Sequence, residues 1–160
     1  MATLAIRPAT PDDLPALVDL FLGFFDHLKA TVADAFWRGA VADPALAVAF
    51  FEKALAEGEL LLLAEIGQAP VGYLAGRIEP SLVQESPIRS VGHISHCYVS
   101  PRARGQGVGS ALVEAAEGWF RARQIAFVEL GYSLANEAAA RFWTAKGYAP
   151  DRVVARKALD

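Results

Sequence analysis

The strongest periodic signal lies near the start of the chain. Leu14, Leu17, Val18, Phe21, Leu22, Phe25 and Leu28 recur at three- and four-residue spacing. That spacing predicts one amphipathic helix reaching about Leu28. Thr10-Pro11-Asp12-Asp13 supplies its start, a capping hydroxyl followed by a proline suited to the first helical position. Asp43-Pro44 repeats the signal and predicts a second helix running to about Glu57 and ended by Gly58. A third helix is expected from Val108 to about Arg123, with Ala111, Leu112, Ala115, Ala116 and Trp119 on one face. A fourth is expected from Asn136 to Lys146, with Gly147 as its stop. Short apolar runs predict strands at residues 4–8, 60–66, 71–78, 92–99 and 125–130, with a last one within 148–157. The turn at 67–70 makes the second and third strands an antiparallel hairpin, and residues 79–87 form a polar loop with two prolines. The order is β-α-α-β-β-β-α-β-α-β. Antiparallel strands joined to βαβ pieces predict a mixed α/β (α+β) fold, with a mostly antiparallel central sheet flanked by helices.

Composition narrows the function. The 160 residues fit one domain, 1–160, and 54% hydrophobic content is enough for one well-buried core. A net charge of −3 leaves no basic footprint for nucleic acid, so no nucleic-acid partner is expected. The single cysteine, Cys97, excludes an internal disulfide and a cysteine-based zinc cluster. No apolar run approaches the ~20 residues that a membrane span needs. The first residues show no basic segment followed by a long apolar stretch, so a cytoplasmic protein without membrane association is expected.

Chemistry concentrates after the fourth predicted strand. There Val99-Ser-Pro-Arg-Ala-Arg104 leads into Gly105-Gln106-Gly107-Val108-Gly109-Ser110 and then a helix. Free amides at a helix N-terminus, aided by the helix dipole, favour an anion. Glycines let a diphosphate approach the main chain without Cβ interference, and Arg104 adds positive charge. The bland alternative is a glycine-rich helix entry with an exposed arginine. Two rival phosphate motifs fail. A Walker A loop would place Lys and Ser or Thr where Val108 and Gly109 stand, and the Rossmann fingerprint needs Gly-x-Gly-x-x-Gly inside a βαβ unit.

Arg104-x-x-Gly107-x-Gly109 after a Val-x-Pro strand end resembles the acetyl-CoA motif of the GNAT superfamily of N-acetyltransferases. The segment Asn136-Glu-Ala-Ala139-Ala-Arg-Phe142-Trp143-Thr-Ala-Lys-Gly147-Tyr148 resembles that family's Asn-x-x-Ala-x-x-Phe/Leu-Tyr-x-x-x-Gly-Phe helix. Residues 6–13 resemble its opening strand and helix cap. The resemblance runs in order over nearly the whole chain. It implies a GNAT-like fold, acetyl-CoA as co-substrate and a primary amine of a small molecule, peptide or protein as acceptor, with no metal. By position it implies that Cys97, Tyr98 and Val99 meet the pantetheine arm mainly through backbone groups. It also implies that the amides from Arg104 to Ser110 hold the diphosphate, that Asn136 bonds the pantetheine side, and that the Phe142 and Trp143 region borders the thiol end. Asn136 also reads as a plain helix N-cap, and both roles are compatible. Cys97 reads as a small buried residue rather than a nucleophile. Family members are often dimers, so a homodimer is compatible with the resemblance, which does not set the oligomeric state.

The resemblance implies direct attack of an amine on the thioester, and an amine attacks only when deprotonated. A base is therefore required, since a lysine-like amine is mostly protonated at neutral pH. Strand alternation places His93, Ser95 and Cys97 on one face and Ile94, His96 and Tyr98 on the other. Histidine titrates near neutrality, so His93 is the first candidate base, with Ser95 able to hold a relay water and His96 second. The opposed faces of His93 and His96 argue against a metal site. The family's usual acid, a tyrosine on the last helix, is replaced by Trp143, a far poorer proton donor. That departure motivates an alternative, a non-catalytic acyl-CoA-binding regulatory module. Asp26, His27, Phe36, Trp37 and residues 79–85 are the candidate acceptor region.

Overall fold

The computed structural model describes residues 2–32 and 34–159, so the two ends of the expected 1–160 unit lie outside the described residues. Five strands form one sheet in sequence order: β1 Leu4–Pro8, β2 Leu60–Ile66, β3 Ala69–Pro80, β4 Ser90–Val99 and β5 Val128–Leu130. Neighbours are antiparallel except β4 and β5, which are parallel. The helices are α1 Leu14–Thr31, α2 Ala35–Arg38, α3 Pro44–Ala56, α4 Val108–Arg121 and α5 Glu137–Ala145. This is the mixed, mostly antiparallel sheet flanked by helices expected from the sequence.

Both faces of the sheet are covered, which is why Leu60 to Ala64 of β2 are buried without alternation. On one face, Leu60, Leu62, Leu74 and Ile94 pack against Val108, Leu112, Ala116 and Phe120 of α4 and Trp143 of α5. Gly92 allows this packing: a Cβ there would lie 2.7 Å from the Phe120 ring. On the other face, Leu61, Leu63, Tyr73, Ala75 and Tyr98 meet Leu17 and Leu20 of α1 and Ala47 and Phe51 of α3. Arg7 pins the entry to α1. It donates to both oxygens of Asp13 at 2.8 Å and to Glu65 at 2.8 and 3.1 Å, and this pairing holds the Asp13 carboxyl well below the usual range.

Three expectations need correction. Among the described residues no strand follows α5. A strand forms only where a partner edge takes its hydrogen bonds. Residues 149–159 instead lie exposed on the surface, with Arg152 paired to Glu129 and Arg156 to Asp34. The fifth strand begins at Val128 rather than Ile125, since Gln124 turns through a left-handed conformation just before it. The short helix α2, capped by the Asp34 carboxylate accepting from the Phe36 and Trp37 amides, left no periodic trace because it is a single turn. No helix of the described residues is long and apolar enough to cross a membrane.

Candidate active site

β5 pairs with β4 only from Gly92 to Ile94, so beyond Ile94 the two chains part and the outer edge of β4 over residues 95–99 has no strand beside it. The split begins at an irregularity. Gly76 pairs with Ile94 and Ala75 with His96, which leaves Ser95 as an extra residue in β4. A bulge of this kind resets side-chain direction. Ile94, Cys97 and Val99 accordingly face the α4 side, whereas His96 and Tyr98 face α1 and α3. His93 and Ser95 also lie on the α1/α3 side, next to Arg77 and Glu79 of β3. The simple alternation expected for β4 is therefore wrong for Cys97 and for Ile94, and the two histidines share a face. Among the described residues, however, no group of three or more His, Cys, Asp or Glu side chains could hold a metal ion.

On that face Arg77 donates to the Ser95 hydroxyl at 2.9 Å and pairs with Glu79, whose other oxygen is 3.9 Å from His93 Nδ1. Ser95 keeps its own proton for donation. His96 sits differently. Its Nδ1 is 3.2 Å from the hydroxyl of Tyr73, a side chain with no exposed surface. One hydrogen bond joins the two side chains, and its direction follows the tautomer of the ring. Burial, aided by the charge of Arg77 and by His93, pushes the His96 pKa down to about 4. His96 is thus neutral at physiological pH, with Nδ1 tied to Tyr73. Burial pushes the Cys97 thiol up to about 12, which leaves it protonated and inert.

Where β4 ends, the glycine loop crosses to α4. The Arg104 amide bonds to Pro101 and the Ala111 amide to Gly107. Between them, among the described residues, none of the six amides from Gly105 to Ser110 has a protein acceptor. Gly105 and Gly107 have positive φ, 74° and 79°, and Gly107 is the N-cap of α4. The third glycine meets a packing demand, since a Cβ on Gly109 would lie 3.3 Å from the Phe142 ring. Arg104 does not stand free over the loop. Its Nε donates to the Val99 carbonyl at 3.1 Å, and its guanidinium lies 5.9 Å from the Tyr98 ring. Gln106 folds back onto the Arg102 carbonyl.

Asn136 is buried and caps α5, its Oδ1 accepting from the Ala139 amide at 3.1 Å. Trp143 lies in the α4-side core between Phe142 and Tyr148, with ring centroids 5.0 and 5.2 Å away. Its neighbour Phe142 is the ring that a Cβ on Gly109 would meet. Tyr148 is not a free acid either: its hydroxyl bonds Glu117, and burial raises its pKa.

A model of the acetyltransferase (GNAT) family matches residues 26–148. The chain belongs to that family. An aminoglycoside N(6')-acetyltransferase type 1 of Stenotrophomonas maltophilia is 32% identical over 123 residues, covering 72% of this chain and 67% of that protein. An uncharacterized N-acetyltransferase of Methanocaldococcus jannaschii is 26% identical over 157 residues, covering 95% of this chain and 63% of its own length. The chain therefore spans 63% and 67% of these two relatives. Among solved structures, the aminoglycoside antibiotic 6'-N-acetyltransferase AAC(6')-IG from Acinetobacter haemolyticus shares the fold with a TM-score of 0.77 at 21% identity, over 98% of each chain. AAC(6')-Iy in complex with CoA gives 0.79 at 19% identity, over 99% of this chain and 96% of that one.

For a GNAT chain, sequence reasoning missed Tyr73, Arg77 and the ring pair Phe24 and Phe50 against His96, at 5.2 and 4.8 Å. Alternation along β3 from Tyr73 through Arg77 to Glu79 was the signal available for the first two. Of the expected acceptor region, Trp37 meets Phe25 edge-on at 5.7 Å and Glu79 joins the His93 cluster, whereas Phe36 is largely exposed beneath Arg156.

Proposed function

We propose that this chain is an N-acetyltransferase that moves an acetyl group from acetyl-CoA to a primary amine by direct attack. The observation that carries the reading is the run of six unpaired amides from Gly105 to Ser110, set beside the split between β4 and β5. Unpaired N–H groups at the positive end of a 14-residue helix, with left-handed glycines among them, suit an anion such as a diphosphate. Fitted there, acetyl-CoA supplies the thioester carbonyl. The free edge of β4 at Cys97 to Val99 would hold the pantetheine arm by strand-like bonds, with Asn136 beside it.

In this reading His93 is the base. His93 is preferred to His96 because the His96 ring is enclosed by phenylalanine rings and tied to Tyr73, whereas the His93 ring makes a long contact to Glu79 at a more open position. His93, directly or through a water on Ser95, takes the proton from the amine. The amine nitrogen bonds to the carbonyl carbon, the carbon–sulfur bond breaks, and the thiolate leaves with solvent as its proton source. The reading keeps the single 1–160 unit and the cytoplasmic setting expected from the sequence. Aminoglycosides, named in two relatives and several structural neighbours, are the first acceptors to test.

Thiol release over a panel of amines, with calorimetry of acetyl-CoA binding, tests the reading. His93→Ala is expected to lower the amine-dependent rate by 10²-fold or more, with acetyl-CoA affinity within about twofold of the parent. It should also alter the rate–pH profile. An unchanged profile would take the role of base from His93. The buried Trp143, which leaves the last helix without a phenol, favours one second reading, an acyl-CoA-binding module without turnover. Acetyl-CoA binding with no thiol release across the panel would select it.

A further inference from the structure

The acceptor side of the split carries an unusual floor. Phe21, Phe24 and Phe50 surround the His96 ring with centroids 5.7, 5.2 and 4.8 Å away. Phe21 continues to Phe25 at 6.2 Å, and Phe25 to Trp37 at 5.7 Å. These five aromatic side chains are half-buried, unlike Phe51 and Tyr73 beneath them, which are fully buried. Each therefore keeps some accessible ring surface, and the chain of ring contacts links these surfaces around His96, three residues along β4 from the candidate base.

Charge on the same face completes the picture. Glu79 is held by Arg77 with His93 beside it, and Asp34 caps α2 and faces Arg156 at 3.7 Å. Arg77, Arg104, His27 and His93 add cationic or protonatable groups around the rim. His96 at the centre is held neutral by burial and hydrogen-bonded to Tyr73. Glu79 and Asp34 are each already engaged by an arginine. Ring faces, by contrast, attract a single ammonium and pack well against a flat apolar body.

We propose that the acceptor is a monoamine carried on an aromatic body, seated on Phe21, Phe24, Phe25, Trp37 and Phe50 with its amine toward His93, and that polycationic aminoglycosides are poor substrates of this chain. This rests on the acetyltransferase reading above. The test compares phenethylamine and tryptamine with kanamycin, following thiol release from acetyl-CoA, and titrates phenethylamine calorimetrically into protein saturated with CoA. The expected result is a kcat/KM for the arylalkylamines at least 30-fold above that for kanamycin. Phe24→Leu keeps apolar volume and removes the ring. It should raise KM for phenethylamine several-fold and leave acetyl-CoA affinity within twofold. Equal or better turnover of kanamycin would overturn the proposal, as would an unaltered KM in Phe24→Leu. If no amine is acetylated, saturable phenethylamine binding still supports the aromatic site, and its absence removes it. Failure to bind acetyl-CoA would instead sink the acetyltransferase reading, a separate outcome read from a separate titration.

Discussion

Two histidines three residues apart on one strand end with different chemistry, and the difference comes from what surrounds each ring. His93 touches a carboxylate at the open rim of the sheet. His96 is enclosed by phenylalanine rings and fixed by Tyr73, and burial brings its pKa to about 4. Unfolding frees this ring to take up a proton near its ordinary pKa of 6.5, so the unfolded chain binds the extra proton over the interval from 6.5 down to about 4. Stability is therefore full above that interval and lost progressively as pH falls through it. The loss from His96 is at most roughly 3 kcal/mol, with the exposed edge of the ring reducing it. His27, lowered in pKa by burial and by Arg104, adds to the same window, whereas Asp13 acts only at lower pH. Urea unfolding at pH 7 and pH 4.5 should show His96→Gln losing about 2 kcal/mol less on acidification than the parent. Parallel losses in the two proteins would show that His96 is not held neutral by the fold.

The four longer helices were legible in the sequence because their apolar positions repeat near the 3.6-residue period, three of them after a capping residue or a proline. The glycine loop was legible for the same local reason: amides at a helix start need no distant partner to be free. The bulge in β4 was not. Alternation assumes one residue per pairing, and Ser95 breaks that count only because β3 meets β4 out of step at Ala75 and Gly76. The missing sixth strand has a similar origin, since residues 149–159 have apolar positions but no edge that takes their hydrogen bonds. Two glycines of one element test the loop. Gly107, at φ 79° with open space around it, accepts a methyl sterically but not conformationally. Gly107→Ala should cost about 1–2 kcal/mol and weaken acetyl-CoA binding at least tenfold, as calorimetry would show. Gly118 lies mid-helix in α4 with open space and no positive φ. Gly118→Ala should add about 0.5–1 kcal/mol of stability and leave acetyl-CoA affinity unchanged. Equal effects on binding from the two would remove the loop from the donor site.

At the scale of the molecule, the sheet draws together groups that are remote in sequence. The amides of residues 105–110 follow the end of β4, whose edge is left by β5 beyond Ile94, and the same strand carries His96 among the rings of α1 and α3; in the proposed reading these are the donor and acceptor sides. Ligand binding to that junction should stabilise the whole fold by mass action. At acetyl-CoA a hundredfold above its Kd, the gain is about 2.7 kcal/mol. That corresponds to a rise in Tm of roughly 5–10 °C for a domain of this size. A thermal scan without such a rise, at a concentration where calorimetry shows saturation, would mean that the unfolded chain binds the ligand too. By itself the sequence determined the four longer helices, the order of the first five strands, the glycine loop and its kinship to acetyltransferases, because these rest on short-range periodicity and on local backbone chemistry. Only the tertiary structure decided which strand edge stays open, which face each histidine takes and which rings gather around His96. Those features depend on register between strands and on packing across the sheet, interactions that no local pattern encodes.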